Sequence, residues 1–154
     1  MIKASEFSSC NNYRYTLTRI WNEGGKNNLP VIGLNPSAAD EQTDDPTIRR
    51  CIRFASNGGW DGIIMLNLFA LISTDPKLLK THRDPIGPEN DNYLQDVLGR
   101  YQQAWVCWGS SSRPESRERI VLEMIRTHIC VGVTNAGHPK HPLYVPYSAD
   151  FRPF

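Results

Sequence analysis

The chain has 154 residues, of which 40% are hydrophobic and 21% charged, with a net charge of +1. That length fits one domain with a real core, so residues 1–154 are expected to form a single domain, and any nucleic-acid contact must come from a local basic patch, not overall charge. No apolar run approaches the roughly 18 residues of a membrane span, and Met1–Tyr15 lacks a secretory apolar region, so a cytoplasmic protein with no membrane partner is expected.

In chain order, Tyr13–Trp21 alternates and is rich in aromatic and β-branched residues. The turn-forming Asn22–Asn28 follows, which predicts an N-terminal β-hairpin. Leu29–Leu34 is continuously apolar, the pattern of a strand buried on both faces. It runs into Gly33-Leu34-Asn35-Pro36-Ser37. Gly33 lets a ligand approach the backbone closely, and Pro36 stiffens the turn. The Asn35 amide either projects into a cleft or bonds its own backbone. An acidic stretch then leads to a predicted helix over 45–55. Asp44 and Asp45 suit its N-terminus, Pro46 its first turn, and Ile48, Cys51, Ile52 and Ala55 share a face. Arg49 and Arg50 fall one turn later, placed either to pair with those acids or to select a nucleotide.

Gly62–Phe69 predicts a second buried strand with Asn67 inside it. A buried amide needs partners, so Asn67 either satisfies backbone groups or reads the polar edge of a ligand. A helix over 87–102 aligns Tyr93, Leu94, Val97, Leu98 and Tyr101. Ala104–Gly109 is a third buried strand, and Ser110, Ser111 and Ser112 open the next helix, over 110–127, with Pro114 in its first turn. The serines either cap that helix or bind phosphate at its N-terminus. Ile129–Thr134 is the fourth buried strand. Beyond it, residues 135–148 crowd His138-Pro139, His141-Pro142, Leu143, Tyr144 and Tyr147 together. His138 and His141 lack a convincing third ligand, and Cys10, Cys51, Cys107 and Cys130 form no C-x-x-C pair, so neither a metal nor a cofactor is expected.

Strand–helix alternation predicts an α/β fold: a three-layer α/β/α sandwich around a central, mainly parallel four-stranded sheet, preceded by the hairpin. Ligands bind such sheets outside the carboxyl ends of the strands, so Asn35, Asn67, Gly109 and His141 are expected at one edge.

Together, Gly33-Leu34-Asn35-Pro36-Ser37, Asn67 in "MLNLF" and His141-Pro142-Leu143-Tyr144 resemble the uracil-DNA glycosylase superfamily, in the right order from about Val31 to Tyr147. "GLNPSAADEQTDDPTIRRC" with "NAGHPKHPLYVP" looks more closely like the domain-of-unknown-function family numbered 1643. The glycosylase resemblance implies hydrolysis of an N-glycosidic bond in nucleic acid, with the base flipped into a pocket. Asn35 would position the water and His141 assist the leaving base. Gly33, Asn67, Phe54 and Phe69 would hold the base. Ser110, Ser111, Lys140, Leu143, Tyr144, Arg49 and Arg50 would contact the nucleic acid. The acidic run and the paired arginines depart from the general glycosylase pattern, and no aspartate takes the water-activating position. Two alternatives therefore stand beside the glycosylase: a base-binding module without turnover, and an enzyme acting on free nucleotides.

Overall fold

The computed structural model of the chain describes residues 1–37, 39–111 and 116–154. Strands β1 (Ile2–Phe7), β2 (Arg14–Ile20) and β3 (Asn28–Gly33) come first, then helix α1 (Pro46–Asn57) and β4 (Gly62–Asn67). A short helix α2 (Leu78–Thr81), α3 (Asn90–Arg100), β5 (Gln103–Val106), α4 (Ser116–Glu123), β6 (Thr127–Cys130) and β7 (Arg152–Pro153) complete the order. A single 3₁₀ turn covers Pro142–Tyr144. No described helix is long and apolar enough to cross a membrane.

The expected four-stranded, mainly parallel sheet is corrected. The described residues form a seven-stranded mixed sheet in the order β1-β2-β4-β3-β5-β6-β7. Pairings β3–β4, β3–β5 and β5–β6 are parallel, whereas β1–β2, β2–β4 and β6–β7 are antiparallel. The first three apolar runs supply β3, β4 and β5, whereas β6 begins at Thr127 and takes only Ile129 and Cys130 of the fourth run expected over Ile129–Thr134. The edges were missed because β1 and β7 are mostly exposed and lack a buried-strand pattern. The hairpin is corrected too. β2 turns back onto β1 through residues 8–13, and the glycine turn behind β2 leads to β3, with β4 lying between those two strands. The 110–127 helix is shorter than expected, since α4 ends at Glu123; Ser112 and Pro114 lie outside the described residues.

Both faces of the sheet are covered, which is why β3 and β4 read as continuous apolar runs. Successive strand residues point to opposite sides. Leu29, Val31, Ile63 and Met65 pack against Ile48, Cys51, Phe54 and Ala55 of α1. Ile32, Ile64 and Leu66 face the other way, onto Leu79, Leu94, Val97, Leu98 and Val121 of α2, α3 and α4. The chain leaves β3 through α1 to reach β4 on one side. It later returns past β3 to β5 on the other side, with α4 on the opposite face. This reversal opens a crevice between the carboxyl ends of β3 and β5, where such sheets hold ligands.

Candidate active site at the carboxyl edge of the sheet

A cleft of about 740 Å³ occupies that crevice. Gly33, Asn35, Asn67, Gly109, Ser110, Ser111, Lys140, His141, Leu143 and Tyr144 all line it, together with Arg14, Asp45 and Trp108. The loops behind β3, β4, β5 and β6 therefore meet at one place. Backbone hydrogen bonds stitch them together: Leu68 N–H donates to Gly33 C=O, Gly109 N–H to Pro139 C=O, and Ser73 N–H to Pro36 C=O.

Asn35 combines both expectations for its amide. Its Nδ2 donates to the carbonyls of Ser73 at 2.9 Å, Pro36 at 3.1 Å and Leu71 at 3.2 Å. The backbone thus fixes the amide orientation and leaves Oδ1 as an acceptor on a residue that lines the cleft. An amide held this way orients a water but cannot take its proton.

Asn67 ends β4, is only 5% exposed and lines the cleft. Its side-chain amide makes no hydrogen bond with any described residue, although its main-chain carbonyl accepts from Asn90 Nδ2 at 3.1 Å. Asn90 also donates to the Leu68 carbonyl, as does Arg117 Nε at 2.8 Å. These buried side chains hold the end of β4 and so aim Asn67. Gly33 is glycine for a local reason, since a Cβ there would sit 3.0 Å from Asn67 Oδ1.

His141 precedes the 3₁₀ turn, and its Nδ1 accepts the Leu143 N–H at 3.2 Å. That bond places the ring proton of the neutral imidazole on Nε2. Burial pushes the His141 pKa below its ordinary value, with Asp45 opposing the shift. The histidine is therefore neutral near pH 7 and able to donate from Nε2. Gly109, at φ +72°, gives the β5 loop the left-handed turn that passes His141. Leu143, 40% exposed, and Tyr144, 80% exposed, stand at the cleft's rim.

The acidic run is mostly architectural. Asp45 Oδ1 caps α1 by accepting from Ile48 N–H, and Oδ2 accepts from Ser37 Oγ. Asp44 pairs with Arg19, which is fully buried, at 2.7 Å. Arg19 also donates to the carbonyls of Thr18 and Asp40. Asp45 is the only carboxylate among the described residues lining the cleft.

Arg49, Arg50, Phe54 and Phe69 are not brought to the cleft. Arg49 is exposed and donates to the Asp44 carbonyl. Arg50 pairs with neither Asp44 nor Asp45. It reaches across to the His141 loop, donating to the carbonyls of Pro142 and Val145, and stacks over Tyr147 at 4.1 Å. Phe54 is buried among Trp105, Tyr147 and Phe151, and Phe69 is buried on the α3 side. A buried phenylalanine satisfies the hydrophobic effect in a core as well as in a base pocket, so sequence does not separate the two.

The sequence reading missed Arg14, Asn90, Arg117 and Trp108. The alternation of Tyr13–Trp21 gave Arg14 no role. Its signal is structural: the β1–β2 register shifts between Glu6 and Phe7, opposite Tyr15. This bulge puts Arg14 on the same side as Arg19, and both reach the segment at 39–44.

Among the described residues no group of three or more His, Cys, Asp or Glu could hold a metal ion. His138 instead faces Glu118, Nδ1 to Oε1, at 3.8 Å. A family model described as "Protein of unknown function (DUF1643)" matches residues 14–143, and the chain belongs to that family. No curated protein and no solved structure matches.

Proposed function

We propose that this member of the DUF1643 family hydrolyses the N-glycosidic bond of a damaged or modified base in nucleic acid, in the manner of uracil-DNA glycosylases. The observation that carries this reading is Asn67. A nearly buried amide with an unpartnered donor and acceptor lies at a strand end inside a cleft. Held in the cleft wall, that donor and acceptor match the complementary edge of a nucleobase.

The remaining roles follow from the chemistry of bond cleavage. Water oxygen bonds to the sugar's anomeric carbon as the carbon–nitrogen bond breaks, and the base leaves with the electron pair. Asn35 Oδ1 accepts a hydrogen bond from the water and orients it. The neutral His141 donates from Nε2 to the base as negative charge develops there, which stabilises the transition state more than the ground state. Asp45 is the group in the cleft wall able to receive the water's proton. Trp108 forms part of the apolar wall. Leu143 and Tyr144, exposed side by side at the rim, suit a wedge that fills the gap left by a flipped nucleotide. Two exposed apolar side chains there favour a polymer over a free nucleotide. Lys140 in the cleft wall suits a phosphate.

The test is incubation with oligonucleotides carrying a panel of natural, deaminated and alkylated bases, followed by detection of abasic sites. Wild type should release at least one base. Asn67→Ala should narrow the rate difference between that base and its competitors by roughly ten- to a hundredfold, because it removes an edge contact and no reacting group. Abasic sites from no base at all would rule out the glycosylase.

A further inference from the structure

Arg14 is the charged residue of the described cleft wall that the proposed chemistry leaves unused. It is 4% exposed and lines the cleft. Among the described residues two other arginines are buried, and they behave differently from it. Arg19 and Arg117 each hold a carboxylate, Asp44 at 2.7 Å and Asp91 at 2.5 Å. Among the described residues Arg14 has no such partner. Its Nη1 donates to the Ala39 carbonyl, and Nε and Nη2 make no described hydrogen bond. Burial pushes its pKa down to about 10, with Asp45 and Asp40 opposing and Arg19 adding to the shift, so it stays a cation near pH 7.

Two donor groups of a cation in the cleft wall are thus left for an anion from a ligand. The fold places it deliberately. The bulge opposite Tyr15 turns its side chain inward, and its own N–H donates to Ala70 C=O just beyond β4, the strand that ends in Asn67. The other charged groups in the described cleft wall are Lys140 and Asp45. Arg14 and Lys140 against the one carboxylate of Asp45 leave the described cleft wall net positive.

We propose that Arg14 forms an anion subsite in the cleft, and that the ligand carries a phosphate or carboxylate seated against its Nε and Nη2. The planar guanidinium fork matches two oxygens of either group. The inference rests on the cleft being the ligand site proposed above, but not on turnover. The anion has two possible sources: a nucleotide's phosphate, or an acidic substituent on the base.

Calorimetric binding to wild-type protein separates them. Each of the four common nucleosides is compared with its monophosphate, and uracil with orotate, its carboxylate. The charged member of at least one pair should bind about tenfold or more tightly. Gain with the monophosphates assigns a phosphate; gain with orotate assigns a base substituent. Arg14→Gln should abolish the gain, and Arg14→Lys should keep part of it. Should Arg14→Gln melt early or fail to fold, Arg14→Lys decides, since Lys140 is present in it and in wild type alike and an undiminished gain would overturn the subsite. Equal binding within every pair, binding of no probe, or a gain kept in folded Arg14→Gln would overturn the subsite. A charge preference without base release would defeat the glycosylase reading alone. Base release from oligonucleotides with no charge preference would defeat the subsite alone.

Discussion

Replacing Arg50 by alanine removes the strut under the His141 loop. The guanidinium donates from Nε to Pro142 C=O at 2.6 Å and from Nη2 to Val145 C=O, and it stacks over Tyr147 at 4.1 Å. Hydrogen bonds involving a charged group contribute about 1.5–3 kcal/mol each, and an exposed cation–π contact about 0.5–1 kcal/mol. Arg50 is half-buried, so the low ends apply, and Arg50→Ala should cost about 3.5 kcal/mol of stability. The loss falls on the segment directly after His141. A displacement of about 1 Å at a reacting group can cost on the order of a hundredfold in rate, so base release should fall by about that much. Arg50→Lys should recover less than half of either loss, because a point charge cannot fork to two carbonyls. Urea unfolding measures the first quantity and single-turnover base release the second. Oligonucleotide binding across a salt series supplies the control. An unchanged unfolding midpoint, with weaker binding and a log–log salt slope reduced by about one, would show that Arg50 meets phosphate and that the strut reasoning is wrong.

Two further outcomes follow from the same geometry. His141 has a lowered pKa in the folded chain, so the fold favours its neutral form. Activity and stability that depend on the neutral ring are complete above the ordinary value of 6.5 and decline as pH falls below it, through the lowered folded value. A pH–rate profile should therefore show an acid limb below 6.5 that His141→Gln removes; activity rising toward acid would contradict the neutral donor. Asp44→Ala should strand the fully buried Arg19 and cost about 3 kcal/mol or more, while Asp44→Asn, which keeps an acceptor, should cost less. Denaturant unfolding of both variants checks this, and a loss below about 0.5 kcal/mol for Asp44→Ala would mean the pair adds nothing.

The sequence by itself determined what depends on neighbours along the chain. Continuous apolar runs mark β3 and β4 as strands covered on both faces, because a half-exposed strand would alternate. Asp45 and Pro46 mark the start of α1, because a side-chain acceptor and a residue without an N–H both belong at a helix N-terminus. Strand ends carry Gly33, Asn35, Asn67 and Gly109, so their meeting at one edge follows once the strands are parallel. The tertiary structure decided everything that depends on reach across the chain. Strands β1 and β7 add to the sheet by backbone pairing, which leaves little trace in side-chain pattern. Arg50 and the carbonyl of Val145 lie 95 residues apart in sequence, and only the docking of α1 under the His141 loop joins them. Phe54 and Phe69 enter the core instead of the cleft, since apolar burial rewards either destination equally. Arg14 turns inward because one extra residue in β2 reverses the strand's alternation. That reversal is set by pairing with β1, a contact between two segments and not a property of either one.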